Sequence, residues 1–213
     1  MVLSGCGTYD GSDPHEAVLT LLALDRAGAR VLIAAPDLAV PAVTDHQRGR
    51  EDPYERRSVL SESARLARGA VTPLSAVKLS TVDALIIPGG YGAVKVLSDH
   101  TAEGRGMKVL PELQALLEDA HARRVPIGCA CTAVMVVARA LGPRGVTLTV
   151  GTDPVLAGDL ESFGARHRPS GPRDIVVDRE NRVVSTAAYL SATRLADLAE
   201  GLQRMVQATL ELV

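Results

Sequence analysis

Short runs of apolar residues recur along the chain, and glycine, proline or charged residues bound each of them. A buried strand of a parallel sheet has this pattern, because both of its faces are covered and a few residues are enough to cross the sheet. The pattern therefore predicts strands at residues 29–35, 82–88, 125–129 and 146–150. Residues 1–5 predict a further strand, which is so short that we expect its true beginning to lie upstream of Met1.

Segments of helical character separate these strands and predict helices at residues 14–27, 54–68, 110–123 and 132–141. Strands that alternate with helices build a mostly parallel sheet with helices on both faces. We therefore expect one flavodoxin-like, three-layer α/β sandwich over residues 1–213. The last part of the chain predicts a helix around 155–163, a small antiparallel hairpin of 174–178 with 182–186, and a closing helix at 192–212. The polar residues 45–57 predict a loop excursion rather than a domain linker.

Composition narrows the class of partner. The 23 basic and 25 acidic residues are mixed along the chain, which leaves no basic surface for a nucleic acid. No apolar run reaches the roughly 18 residues that a membrane span needs, and the N-terminus has no secretory signal pattern. Three cysteines without disulfide spacing are typical of a reducing compartment. We expect a cytoplasmic protein with a small-molecule partner and with neither nucleic acid nor membrane.

Cys131 is the first candidate for chemistry, because a predicted strand passes into a predicted helix there with no loop residues between them. A nucleophile elbow needs small residues two positions before and after the nucleophile, and Cys129 and Ala133 meet that need. The N–H groups and dipole at a helix N-terminus predict a lowered pKa for the Cys131 thiol. The alternative is that Cys131 is one more small, buried core residue.

A glycine turn, Gly89-Gly90, follows the predicted strand that ends at Pro88. The carboxyl edge of an open α/β sheet is where such proteins bind ligands. Backbone N–H groups of this turn and of Thr132 could therefore stabilise an oxyanion. The alternative is an ordinary loop, and the glycine spacing is not that of a phosphate-binding loop.

Glu16 lies at the start of the first predicted helix, at another strand-to-helix junction on the same edge. It is a candidate to accept a proton from Cys131 and to return it. The alternative is a capping role, since Asp13 and Pro14 mark a helix start. His15 and His167 are weaker candidates for proton handling. The five histidines have no metal-ligand spacing, so we expect no metal site.

Taken together, these segments resemble the ThiJ/PfpI superfamily, which shares its fold with class I glutamine amidotransferase domains, and within it most of all the ElbB-type proteins. The resemblance spans nearly the whole chain, and residues 3–7 and 88–95 are its most specific stretches; the others are 9–12, 15–23, 151–153 and 174–178. It implies a glyoxalase III-like activity, in which methylglyoxal or glyoxal becomes a hydroxy acid without a cofactor. The matched positions are Cys131 as nucleophile, Glu16 as its carboxylate partner and Gly90 in the oxyanion turn. The resemblance also implies a homodimer.

Departures from the family narrow the activity. PfpI-type proteases carry His directly after the nucleophile, where this chain has Thr132, and no late His-x-Glu pair of a glutaminase is present. ElbB-type proteins have Cys-Ile-Ala-Pro at the elbow, where this chain has Cys-Thr-Ala-Val, and Pro at the position of Ala187; these changes concern the substrate and not the fold. Two alternatives stay open: an enzyme acting on a larger carbonyl or imine of a biosynthetic pathway, and a redox-responsive or partner-binding protein whose Cys131 is oxidised.

Overall fold

A twisted, mostly parallel sheet forms the centre of the molecule, as a computed structural model of residues 1–213 describes it. Ten short strands are present: β1 (Ala34–Ala35), β2 (Thr44–Asp45), β3 (Arg50–Glu51), β4 (Thr72–Pro73), β5 (Leu85–Ile87), β6 (Ile127–Ala130), β7 (Thr147–Leu148), β8 (Arg166–His167), β9 (Val176–Asp178) and β10 (Val183–Thr186). Eight α-helices connect them: α1 (Pro14–Arg26), α2 (Val59–Ala67), α3 (Tyr91–Leu97), α4 (His100–Glu103), α5 (Pro111–Ala122), α6 (Ala133–Leu141), α7 (Pro154–Ser162) and α8 (Leu195–Leu210). None of these helices is long and apolar enough to cross a membrane.

The sheet is continuous across its middle because the first residues of the chain lie between two strands. Val2 donates its N–H to the carbonyl of Ile86 at 2.9 Å, and Leu3 donates to Ala34 at 2.8 Å. This joins β4 and β1 on one side to the parallel strands β5, β6 and β10 on the other, with β9 antiparallel at the far edge. The predicted mostly parallel sheet with a small antiparallel hairpin is confirmed.

Helices cover the sheet in two groups. Helix α1 packs against α8, and α8 packs on β6 and β10, whereas α6 packs against α3, α5 and α7. Gly128 of β6 lies against Thr209 of α8, so by the alternation of a strand its neighbours Ile127 and Cys129 face the opposite layer. A single cluster of 52 buried hydrophobic residues fills both layers. The three-layer α/β sandwich expected from the sequence is therefore present.

Several predicted boundaries differ from the structure. The helix predicted at 54–68 begins only at Val59, because the side chain of Ser58 accepts the N–H of Ser61 and caps it there. The excursion at 45–57 contains the small hairpin of β2 and β3. Helix α3 was not predicted, because Gly92 within it weakens the helical pattern. The strands predicted at 29–35 and 146–150 are each reduced to two residues.

The start of α3 is held against the loop that precedes α1 by contact between two glycines. A Cβ atom at Gly92 would overlap the backbone of Gly11, and Gly92 donates its N–H to the Gly11 carbonyl at 3.0 Å. Backbone cannot move aside as a flexible side chain can. The two junctions therefore approach closely because Gly92 carries no side chain.

We expect Gly92→Ala to lower the free energy of unfolding by about 2 kcal/mol or more, because the added methyl group overpacks against backbone. Gly69→Ala is the matched control, since nothing lies within 4 Å of a Cβ atom there and its φ is not in the left-handed region. Urea denaturation of both variants measures the difference. A Gly92→Ala variant as stable as Gly69→Ala would contradict the close contact.

Candidate active site

Cys131 occupies a strained turn between β6 and α6. Its φ is +53°, a left-handed conformation that residues with a side chain adopt at an energetic cost. Its N–H donates to the carbonyl of Thr186 on β10 at 3.1 Å, and its carbonyl accepts the N–H of Val134 at 3.1 Å, so the turn is held from both sides. A strained strand-to-helix turn of this type is the backbone geometry of a nucleophile elbow.

Glu16 is fully buried in the first turn of α1. Its Oε2 accepts the backbone N–H of Gly89 at 2.8 Å, and the Cys131 thiol and the Tyr189 N–H act on the carboxyl as further hydrogen-bond donors, whereas Oε1 has no partner of regular hydrogen-bond geometry. Asp13 caps the helix by accepting the Glu16 N–H at 3.1 Å. The cap is thus Asp13, and the Glu16 carboxyl itself is directed inward with one oxygen left free.

Gly89 is the point at which the Cys131 and Glu16 side chains converge. A Cβ atom at Gly89 would overlap Cys131 Cβ and would lie 2.8 Å from Glu16 Oε2. Both side chains therefore occupy the space that any larger residue at position 89 would need. The structure brings these two predicted residues together across three separate segments of the chain.

The backbone around the sulfur atom carries two N–H groups that no strand or helix uses. They belong to Gly90 and Thr132, and both act on Cys131 to lower the pKa of its thiol. The hydroxyl of Thr132 donates to the Gly90 carbonyl at 2.6 Å, which ties the elbow to the glycine turn. Gly90 has φ +105°, and a Cβ atom there would overlap the backbone of Asp13. Two fixed donors beside the nucleophile are the arrangement that stabilises an oxyanion.

The titration of the pair differs from the sequence-based expectation. Burial raises the pKa of the Cys131 thiol well above its usual value, the charge of Glu16 raises it further, and the N–H groups of Gly90 and Thr132 oppose this without reversing it. The predicted lowering was therefore wrong. Burial also raises the pKa of Glu16 to about 7, against the opposing effect of the Gly89 N–H. A carboxyl with this pKa exchanges protons readily near neutral pH.

A cleft of about 460 Å³ opens above these residues and is lined by five of the predicted site residues: His15, Glu16, Gly90, Cys131 and Thr132. Gly89, the sixth, lies behind them against Cys131 and Glu16. Five further lining residues were not predicted as site residues: Thr8, Asp13, Tyr91, Tyr189 and Leu190.

Tyr189 is the most informative of the unpredicted residues. Its hydroxyl and His15 Nδ1 form a hydrogen bond of 2.7 Å at the mouth of the cleft. Ala188, with φ +47°, turns the chain after β10 so that Tyr189 lies beside the elbow. The signal that could have found it is position, because Tyr189 follows a strand that ends at the same carboxyl edge as β6.

The remaining candidate, His167, lies on β8 and is not part of the cleft. A second cavity, of about 550 Å³, lies at the amino edge of the sheet between residues 28–32 and 81–84, and it has no cysteine, histidine or glutamate in its wall. No group of three or more Asp, Glu, His and Cys side chains is placed to hold a metal ion. Of these two cavities, only the smaller cleft therefore has a cysteine, a histidine and a glutamate in its wall.

Two curated proteins are similar to this chain over its whole length. The human protein named glutamine amidotransferase-like class 1 domain-containing protein 3, mitochondrial, is 40% identical over 221 aligned residues, which cover 100% of this chain and 82% of that protein. The rat ES1 protein homolog, mitochondrial, is 39% identical with the same coverage. No model of a protein family matches the chain. Both relatives are named as mitochondrial, so the predicted cytoplasmic location is wrong.

Solved structures share the fold. A protein from Ehrlichia chaffeensis, described as an isoprenoid biosynthesis protein with an amidotransferase-like domain, is 32% identical with a TM-score of 0.92 and covers 100% of this chain and 98% of its own. A ThiJ/PfpI domain protein from Brachyspira murdochii is 12% identical, with a TM-score of 0.58 over 95% of this chain and 92% of its own. The second likeness shows the fold alone.

The titration of Glu16 makes stability depend on pH. Its pKa of about 7 in the folded protein, against 4.5 ordinarily, means that the folded state binds the proton more tightly, so stability is lost as pH rises from 4.5 towards 7. We expect Glu16→Gln to gain stability over the wild type by about 3 kcal/mol more at pH 8 than at pH 4.5. Urea denaturation at several pH values measures this gain.

Glu161→Gln is the control for that comparison, because Glu161 is exposed on α7. Its stability difference from the wild type is expected to stay constant over the same pH range. A Glu16→Gln difference that is equally flat would contradict the raised pKa.

Proposed function

Since this chain belongs to the family of ES1 and glutamine amidotransferase-like class 1 domain proteins, within the ThiJ/PfpI superfamily, we propose that it is a cysteine-dependent, glyoxalase III-like enzyme. It converts methylglyoxal or glyoxal to the corresponding hydroxy acid. The observation that carries the proposal is the convergence of Cys131 and Glu16 at Gly89, with one Glu16 oxygen left unpartnered. A nucleophile and a base in contact are the minimum that carbonyl addition requires.

The first step forms a bond between sulfur and the aldehyde carbon. The Glu16 carboxylate takes the thiol proton as the Cys131 sulfur adds to the aldehyde. The aldehyde oxygen becomes an oxyanion beside the N–H groups of Gly90 and Thr132 and then takes the proton from Glu16, which returns to its carboxylate form. The product of this step is a hemithioacetal on Cys131.

The second step moves hydrogen between neighbouring carbons. The Glu16 carboxylate removes the proton of the former aldehyde carbon, the electron pair of that C–H bond forms an enediol, and the proton returns to the adjacent carbon. The aldehyde carbon is thereby oxidised to a thioester and its neighbour is reduced to an alcohol, so no external oxidant is needed. Water then cleaves the thioester to the hydroxy acid and restores the thiol.

The pKa values fit a mechanism in which Glu16 deprotonates the Cys131 thiol during the reaction and not before it. Because burial raises the pKa of the Cys131 thiol, the resting group is the thiol and not a preformed thiolate. Glu16, with its pKa raised to about 7, is divided between its acid and base forms near neutral pH. The redox-responsive alternative is less well supported, because oxidation of cysteine proceeds through the thiolate.

A second candidate substrate class follows from the size of the cleft. Its volume of about 460 Å³ lies in the range of pockets that hold ligands much larger than a three-carbon dicarbonyl. The Ehrlichia chaffeensis protein is described as an isoprenoid biosynthesis protein. A larger carbonyl or imine intermediate, handled by the same two residues, is therefore the alternative to methylglyoxal.

We expect Cys131→Ala to lower the formation of lactate from methylglyoxal by about a thousandfold or more, because the covalent intermediate cannot form. Cys6→Ser is the control, since Cys6 is half-buried and lies outside the cleft, and its rate should match that of the wild type. Chromatographic measurement of the hydroxy acid decides. Equal rates for Cys131→Ala and the wild type would refute the mechanism.

The pH dependence of kcat/KM should report Glu16. Activity needs its carboxylate form, so kcat/KM is expected to fall about tenfold per pH unit below the Glu16 pKa of about 7. Glu16→Gln should retain only a low rate that no longer varies over this range. If the same limb persisted in Glu16→Gln, another group would be responsible for it.

A further inference from the structure

The wall of the cleft contains two acidic side chains and no lysine or arginine. The two acidic residues are Asp13 and Glu16. Asp13 is only 5% exposed, and its two oxygens accept the Thr8 hydroxyl at 2.6 Å and the Glu16 N–H at 3.1 Å. Hydrogen bonds of this kind fix the carboxylate in place without neutralising its charge with a cation.

The free oxygen of Glu16 adds to this environment. Oε1 has no partner of regular hydrogen-bond geometry, and the residue is fully buried within the wall of the cleft. It is able to accept a proton or a hydrogen bond from a bound molecule. An anionic group of a ligand would instead be repelled by it at short range, where little water screens the charges.

Aromatic faces are concentrated at the same place. The chain contains four tyrosines and one phenylalanine, and two of these five residues, Tyr91 and Tyr189, line the cleft. The face of an aromatic ring attracts a cation and offers nothing to an anion. Tyr91 is 55% exposed, so its ring is available to a ligand at the mouth of the cleft.

We propose that this cleft selects its carbonyl substrate by charge: it excludes compounds that carry a carboxylate or phosphate and favours those that carry an ammonium group, with Asp13 as the residue that sets this preference. Substrates without a charge are accepted between these extremes. The proposal rests on the proposed function only in taking Cys131 as the reacting atom.

Thiol reagents that differ only in charge test this selection without any turnover. Methanethiosulfonates with an aminoethyl, methyl or sulfonatoethyl group each transfer a small thioalkyl group to a cysteine. The rate at Cys131 is measured at pH 8 by mass spectrometry of the peptide that contains it, which excludes Cys6, and fragmentation of that peptide distinguishes Cys131 from Cys129. Each rate is divided by that of mercaptoethanol with the same reagent.

After this correction, the cationic reagent is expected to modify Cys131 about tenfold faster than the anionic reagent, or more, with the neutral reagent between them. Asp13→Asn should reduce the ratio about threefold, and asparagine is also a good N-cap, so α1 keeps its start. Glu161→Gln removes the same charge outside the cleft and should leave the ratio unchanged.

Three results would overturn the proposal. The first is an anionic reagent that reacts at least as fast as the cationic one. The second is an equal ratio in Asp13→Asn and Glu161→Gln, which would remove Asp13 from the explanation. The third is a Cys131 that no reagent modifies at pH 8, where Glu16, above its pKa of about 7, is available to take the thiol proton; the cleft would then not admit ligands to the sulfur. If the wild-type protein formed no lactate from methylglyoxal but the cationic reagent still reacted faster than the anionic one, the proposed reaction would be refuted and the charge selection would stand.

Discussion

The close approach at Gly89 is the constraint on which the cleft depends. One backbone N–H there holds Glu16 Oε2 at 2.8 Å, and the missing side chain leaves room for Cys131. The absence of a side chain likewise allows Gly92 to pack against Gly11 and Gly90 to pack against Asp13. Three chain segments far apart in sequence thus meet at one edge of the sheet through backbone contacts that only glycine permits.

Burial at this meeting point raises the pKa of both Glu16 and Cys131. Removing water from Glu16 and Cys131 penalises the charged form of each, so both groups hold their protons more tightly than they would in water. The N–H groups of Gly90 and Thr132 offset part of this penalty at the sulfur. The consequence is a carboxyl of pKa about 7 beside a thiol whose pKa lies well above its usual value.

Much of this arrangement was open to prediction from the sequence, because strand and helix periodicity located the three junctions and a parallel sheet places such junctions at one edge. The elbow residues Cys129 and Ala133 were equally visible. The pKa of Cys131 could not be predicted from the sequence. The helix N-terminus is a local feature, whereas burial and the Glu16 charge come from the tertiary structure. Helix α3 was missed for a related reason: its glycine is unfavourable locally and is needed for packing against Gly11.

The position of Tyr189 beside Cys131 could be predicted only with knowledge of the strand register. Strand β10 pairs with β6 so that Thr186 lies opposite Ala130, and the Cys131 N–H donates to the Thr186 carbonyl. Both strands therefore end at the same level, and a residue of positive φ comes soon after each: Cys131 directly after β6, and Ala188 two residues after the end of β10. Two strained turns side by side place Cys131 and Tyr189 in the wall of one cleft. The strain at Ala188 has no catalytic group of its own to explain it, and its effect is to bring Tyr189 to His15. The second turn thus shapes the opening of the cleft above the first.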